Sequence, residues 1–269
     1  MGLLEQIERP PALRVGVIGC GAVGAAVCRA IDDGQVRAEL AAVCDSDAAR
    51  AQALVWSLKH PTRSMTLAGL IASSQLVVEA TNSLAAAAIA VQALDGGCDV
   101  MLTNPVAILR KPELVSTAEV RGLAVWVVPA LVPGLSEVRA LMQSGSGHAA
   151  LRLSIPASDA DPDLLARAEE RPDGVAFAGT PSETAIAVPR YENLIAAFAA
   201  AGARGGRVEI AVDRGAEKPL LSVTTSFWSE GHGGSAVWQQ PAGRAASDRT
   251  VALHTIAMLQ RIVSGLKVG

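Results

Sequence analysis

The chain has 269 residues, half of them hydrophobic, with only 3% aromatics and a formal net charge of −3 at neutral pH. That length allows one large or two modest domains with enough chain for real cores. The apolar mass is Ala, Val and Leu, which suits helices packed on a buried sheet, and the scattered Arg and Lys argue against a nucleic-acid binder, which needs a basic face.

The opening stretch "MGLLEQIERPPALR" has acids and prolines and no long apolar core, so no signal peptide is expected. No apolar run reaches membrane-spanning length without Gly, Asp or Arg, so no membrane partner is expected either. Cys20, Cys28, Cys44 and Cys98 form no C-x-x-C pair. Buried free thiols in a reducing cytoplasm, with no bound metal, are the expectation.

From Arg14 to about Val128, strand and helix patterns alternate. "RVGVIG" (14–19), "AELAAVCD" (38–45), "QLVVEAT" (75–81), "CDVMLTN" (98–104) and "LAVWVVP" (123–129) read as buried strands. "AVGAAVCRAID" (22–32), "SDAARAQALVWSL" (46–58) and "SLAAAAIAVQALDGG" (83–97) read as helices. This alternation predicts a Rossmann-type, doubly wound parallel α/β sheet over residues 1–130. The rhythm then changes. "LSEVRALMQSG" (135–145) reads as a helix and "HAALRLSIP" (148–156) as a strand. Residues 159–180 read as a helix and loop, and 181–202 as helical with a break at Pro189. "GRVEIAVD", "PLLSVTTSFWS" and "SAVWQQP" suit an antiparallel sheet, and 247–266 a long amphipathic helix. Residues 131–245 are therefore expected to form a second α+β domain, followed by the helical stretch of 246–269.

"GCGAVG" gives Gly19, Gly21 and Gly24 the G-x-G-x-x-G spacing, with Ala22 and Val23 inside it, after a strand and at the start of a helix. The first glycine allows the turn, the second lets backbone approach a pyrophosphate, and the third lets helix pack close to strand. The helix N-terminus then offers unpaired N–H groups to the phosphates. Asp45 ends the second strand. It either accepts both ribose hydroxyls of an adenosine or caps the next helix, a role open to Asp47. Ser46 and Asp47 follow, with no arginine at once, which favours NAD over NADP. Thr81 and Asn82 end the third strand and Asn104 the fourth, at the carboxyl edge where ligands bind, so all three are cofactor candidates. Pro105 reads either as shaping the loop under the nicotinamide, with a cis bond, or as an ordinary turn proline in the commoner trans state.

"RVGVIGCGAVG", "AVCD", "LVVEATN", "DVMLTNPVAIL" and "VVPALVPGLSEVRAL", in that order, resemble the L-aspartate dehydrogenase family. "PRYENLIAAFAAAG" resembles that family's phenylalanine-proline-x-asparagine-x-asparagine-valine-alanine stretch. Pro189 and Asn193 match there, and Tyr191 replaces the first asparagine. The resemblance implies a Rossmann domain for NAD or NADP, a second domain (131–245) that binds L-aspartate and supplies a dimer sheet, a final helix (246–269) that returns to the nucleotide domain, and oxidation of the amine to an imine. It also implies Asn193 as a substrate-binding residue. Two departures stand out. "PAL" (129–131) replaces a serine-glycine-alanine loop. In "VDRGAEKPLLSV", Pro219 and Leu221 fall where the family's asparagine and catalytic histidine belong.

Another group is then needed as acid or base. Lys218 is the substitute by position, because burial can lower a lysine's pKa. His232, in the glycine-rich "SEGHGG", is a second candidate, while His60, His148 and His254 read as surface or packing residues. Glu183 and Asn193, on helices of the second domain, are candidates to face the cleft. The sequence thus predicts a cytoplasmic, homodimeric NAD(P)-dependent oxidoreductase acting on the amine or imine of a small amino or keto acid. The alternative is a non-catalytic relative, a dinucleotide-binding scaffold or sensor.

Overall fold

The computed structural model of the protein describes residues 12–129, 131–215 and 219–264. Its first unit runs β1 (Leu13–Ile18), α1 (Ala22–Asp32), β2 (Ala38–Cys44), α2 (Ala48–Ser57), α3 (Leu67–Ser73), β3 (Leu76–Glu79), α4 (Ser83–Asp95), β4 (Asp99–Leu102), α5 (Val106–Arg110), α6 (Glu113–Arg121) and β5 (Val125–Val127). Every pairing in this sheet is parallel, in the order β2-β1-β3-β4-β5. Helices cover it on both sides, so the central strands are buried as continuous runs. After β1 the chain first lays β2 on one side and then β3 on the other. The carboxyl ends of β1 and β3 therefore flank a topological switch point, where open α/β sheets bind their ligands.

The second unit runs α7 (Leu135–Gln143), β6 (His148–Pro156), α8 (Pro162–Glu169), β7 (Val175–Gly179), α9 (Pro181–Ala187), α10 (Glu192–Ala200), β8 (Arg207–Asp213), β9 (Leu220–Ser229) and β10 (His232–Pro241). Its sheet has the order β10-β9-β6-β8-β7. Along β6 and β9, alternate residues Leu151, Leu153, Leu221 and Val223 turn inward onto Ile195 and Phe198 of α10.

Here the structure corrects the sequence reading in two places. The sheet is mixed rather than antiparallel, because β8 lies parallel to β6. The chain between them is long enough, with three helices and a strand, to return and enter in the same direction. Residues 175–179 form a strand and not a loop. This run is only five residues long, and it holds the sheet edge through β8 alone.

The last helix, α11 (Arg244–Val263), packs along α1. Leu259 is fully buried in one cluster with Val27, Cys28 and Ile31, and the Gln260 side chain donates to the Gln35 carbonyl at 3.0 Å. Among the described residues, no helix is long and apolar enough to cross a membrane. The burial of Leu259 gives a direct expectation: Leu259→Ala lowers the unfolding free energy by about 2–5 kcal/mol. Chemical denaturation checks this, and a loss under about 1 kcal/mol would mean that α11 is not docked as described.

Candidate active site

At the switch point the chain leaves β1 through Gly19, whose φ is +96°. A side chain here would run into the Ala80 carbonyl after β3, and one at Gly24 into the Gly19 carbonyl. Both positions thus need glycine for packing. Gly21 differs, because a Cβ there would meet no atom within 4 Å. The open space lies on the ligand side. Gly21 is also the N-cap of α1, with no side-chain cap bond and no acid in the first turn. The first N–H groups of α1 therefore have no partner within the helix. An open, uncapped helix start of this kind fits a pyrophosphate.

Asp45 sits just after β2. Its Oδ2 accepts from the Cys20 N–H at 2.7 Å and its Oδ1 from the Asp47 N–H at 2.8 Å. Burial alone would raise this carboxyl, but those two N–H donors and the Arg50 guanidinium, 3.6 Å away, outweigh it and hold the pKa below its usual value. Asp47 caps α2 by accepting from the Arg50 N–H at 3.1 Å, so Asp45 is not needed as the cap. The nearby Arg50 is a residue that sequence reading missed. It lies five positions downstream, and only the helical turn brings it back to Asp45.

Behind the cleft lies Glu79, the last residue of β3, with no exposed surface. Its Oε1 accepts from the Thr81 N–H (2.7 Å) and hydroxyl (2.6 Å), and the Asn104 Nδ2 donates to both carboxyl oxygens at 3.2 and 3.1 Å. Burial nevertheless prevails over these donors and raises the carboxyl above its ordinary pKa. The chain of bonds continues into the second unit. Asn193 of α10 donates from Nδ2 to the Asn104 Oδ1 at 3.0 Å, and its own Oδ1 accepts from the Val106 N–H at 3.4 Å. Glu79, Asn104 and Asn193 thus tie the nucleotide sheet to α10.

Two cavities open along this edge. One, of about 410 Å³, is lined by Gly19, Gly21, Ala22, Val23, Asp45, Thr81 and Asn82. The other, of about 510 Å³, is lined by Asn104, Asn193, Tyr191, Leu221 and the start of α11. Val23, Ala80, Thr81, Asn82, Arg244 and Asp248 line both, so the two form one cleft. Nearly all the sequence-derived cofactor candidates are gathered here, with Gly24 packed just behind. Several are already committed within the protein: the Thr81 hydroxyl bonds to Glu79, and the Asn82 Oδ1 caps α4 at the Leu84 and Ala85 N–H groups. Asn193 faces the cleft but acts first as a tie, since its oxygen and one N–H are used.

The acid–base candidates fare differently. Leu221, at the position where the resemblance implies a histidine, lines the second cavity with an apolar side chain. Lys218 lies outside the described residues. His232 is exposed at the start of β10, beside the Glu230 carbonyl, and lines neither cavity, because the ten-residue ladder of β9 and β10 carries the turn away. His60 pairs with Asp32, His148 stacks on Trp228, and His254 meets Trp238 edge-on. Glu183 is also displaced from the expected role. It closes the capping box of α9 by accepting from the Thr180 N–H and hydroxyl, and these bonds hold its carboxyl low. The described peptide bonds are all trans, Pro105 included.

A parallel sheet with a glycine turn, an uncapped helix start and an ionised acid at the end of β2 defines a dinucleotide-binding protein of the Rossmann type. Residues 19–127 match the model of the homoserine dehydrogenase NAD-binding domain, so this part of the chain is an NAD-binding domain. The L-aspartate dehydrogenase of Methanosarcina mazei is 32% identical over 200 residues, covering 71% of this chain and 74% of that protein. The L-aspartate dehydrogenase of Methanosarcina barkeri is 30% identical, covering 96% and 99%. The crystal structure of aspartate dehydrogenase from Thermotoga maritima superposes with a TM-score of 0.69 at 13% identity, covering 96% of this chain and 99% of that one. The chain belongs to the L-aspartate dehydrogenase family.

The buried carboxyl gives a pH dependence with a definite sign. Glu79 is raised in the folded chain above its unfolded value of about 4.3. Its contribution to stability is therefore full below that value and is lost as pH rises through the folded pKa. Glu79→Gln, which does not ionise, should gain stability relative to the parent chain between about pH 4 and pH 8. Urea denaturation at the two ends of that range measures the difference, and parallel profiles would contradict the raised pKa.

Proposed function

We propose that the protein is an NAD-dependent oxidoreductase acting on the amine, or in reverse the imine, of a small amino acid. The observation that carries this reading is the continuity of the two cavities through Val23, Ala80, Thr81 and Asn82. A cofactor held in one reaches a substrate held in the other. Gly19, Gly21, Ala22 and Val23 would hold the pyrophosphate through backbone N–H groups, with Gly24 closing the turn. Asp45 would hold the adenosine ribose. Thr81, Asn82 and Asn104 would bracket the nicotinamide end. When bound, NAD supplies the two-electron acceptor.

The chain's own work is to position and to exclude water. Oxidation breaks the substrate's Cα–H bond, the hydrogen leaving with its electron pair, and the amine loses one proton to give an imine. Arg244, at the uncapped start of α11, is the cation suited to the α-carboxylate. The second N–H of Asn193 remains for the substrate, and Leu131, Leu194, Leu221 and Val251 keep the reacting carbon dry. Lys218, three positions before Leu221, is assigned as the proton acceptor. An ionised Asp45 repels a 2′-phosphate and favours NAD over NADP. Residues 1–130 with the closing helix form the dinucleotide domain in this reading, and 131–245 the substrate and dimerisation domain. The open edge strand β10, with the exposed Val237 and Trp238 and with Trp228 on the neighbouring β9, suits the contact of a cytoplasmic homodimer.

One feature favours a second reading, a dinucleotide-binding scaffold or sensor without turnover: Leu221 stands where the family resemblance implies a histidine. NADH formation across a panel of amino acids separates the two. Dehydrogenation that Lys218→Ala abolishes supports the enzyme. Tight NADH binding with no turnover on amino, keto or imino acids supports the scaffold. Under either reading Asp45→Ala should weaken NAD binding about tenfold, or about 1.4 kcal/mol, by calorimetry. Unchanged affinity would remove Asp45 from the site.

A further inference from the structure

A buried hydroxyl without a partner costs stability, and folded chains leave few of them. Tyr191 is only 5% exposed, and its hydroxyl has no partner among the described residues. The residue nevertheless lines the second cavity. Burial pushes the phenol up to about 12, so it stays protonated at neutral pH and keeps its O–H as a donor. The Arg190 guanidinium lies 5.9 Å from the ring centroid and helps to fix the ring.

The charged side chains of the same cavity are largely spent on one another. Three carboxylates, Asp159, Glu192 and Asp248, stand against two guanidiniums, Arg190 and Arg244, among the described lining residues. Arg190 holds Asp159 twice, through its carboxylate and its carbonyl, each at 3.0 Å. Glu192 is held by Arg110 at 3.0 Å. Only Arg244 is loosely engaged, 3.8 Å from Asp248. Among the described lining residues, that leaves one cation for one α-carboxylate, with Lys218 kept for the proton. A substrate with a second carboxylate would have to compete with Asp159 for Arg190, in a lining where acids outnumber the described guanidiniums.

We propose that this cavity selects an amino acid with an uncharged side chain, and that the Tyr191 hydroxyl hydrogen-bonds to it. The proposal rests on the amine-oxidising reading above and names its substrate class. Tyr191 is a specificity residue here, supplying a donor that no described residue uses, between the apolar walls of Leu194 and Leu221.

The test compares L-aspartate with L-asparagine, L-serine and L-alanine at saturating NAD, in the parent chain and in Tyr191→Phe. An uncharged member of the panel should exceed L-aspartate at least about tenfold in kcat/KM. Tyr191→Phe should raise KM for the preferred member about tenfold, leave NAD affinity unchanged, and keep or raise Tm, because it deletes a buried unpaired hydroxyl. A merely structural tyrosine would move Tm without moving KM. A preference for L-aspartate, or an unchanged KM in Tyr191→Phe, overturns the proposal. If no amino acid is turned over, thermal shift of the NAD-bound protein reads selection alone. Stabilisation by an uncharged member, lost in Tyr191→Phe, upholds the proposal while sinking the enzymatic reading. Stabilisation by L-aspartate, or by none, overturns it.

Discussion

A carboxyl group with no exposed surface organises the cleft. Glu79 ends the central strand β3 at the switch point, and all the acceptor capacity it uses goes to two neighbours, Thr81 and Asn104. An unpaired buried acid would be costly, so the donors around it cannot drift without penalty. This fixes the turn after β3 and orients the Asn104 amide, with its nitrogen toward Glu79 and its oxygen toward Asn193. The orientation of Asn193 follows in turn. The edge of the nucleotide sheet and the start of α10 are thereby held at one spacing, and the cleft between them takes its width from this chain of bonds.

The two sides of the cleft differ in character. On the nucleotide side, backbone does the work: a glycine turn, an uncapped helix start, and an aspartate kept ionised by N–H donors. These features tolerate many neighbouring side chains, which is why this half keeps the family pattern. On the other side, single side chains decide the chemistry. Leu221 sets an apolar side chain in the cavity, and Tyr191 brings to it a large ring with a polar tip. Of the two described guanidiniums there, Arg190 is held by Asp159 and Arg244 is only loosely engaged by Asp248. The family fold is intact, and Tyr191 and Leu221, two departures from the pattern that the resemblance implies, both line this side of the cleft.

Much of this was legible in the sequence, for physical reasons that differ by element. Gly19, Gly21, Gly24 and Asp45 could be read because local spacing alone fixes a strand–turn–helix. The central strands could be read because burial on both faces leaves an unbroken apolar run. The short helices α3, α5 and α6, of five to nine residues, give too few turns for a periodic signal. The parallel insertion of β8 depends on a distant strand, and no local pattern encodes it. Glu79 was visible as the acid of "VVEATN", but its burial depends on Asn104, 25 positions on. Tyr191 was visible as a substitution, and its lone hydroxyl only in the packed chain. His232 misled because glycines suggest reach, whereas the strand ladder sets where the turn goes.

The central claim is that one continuous cleft joins a cofactor to a substrate. A crystal structure of the protein with NADH tests it most directly. The account predicts the nicotinamide ring at the junction lined by Ala80, Thr81 and Asn82, with one face open to the cavity of Asn104, Tyr191 and Leu221. A bound NADH whose adenosine is ordered at Asp45 but whose nicotinamide lies outside that junction would contradict it.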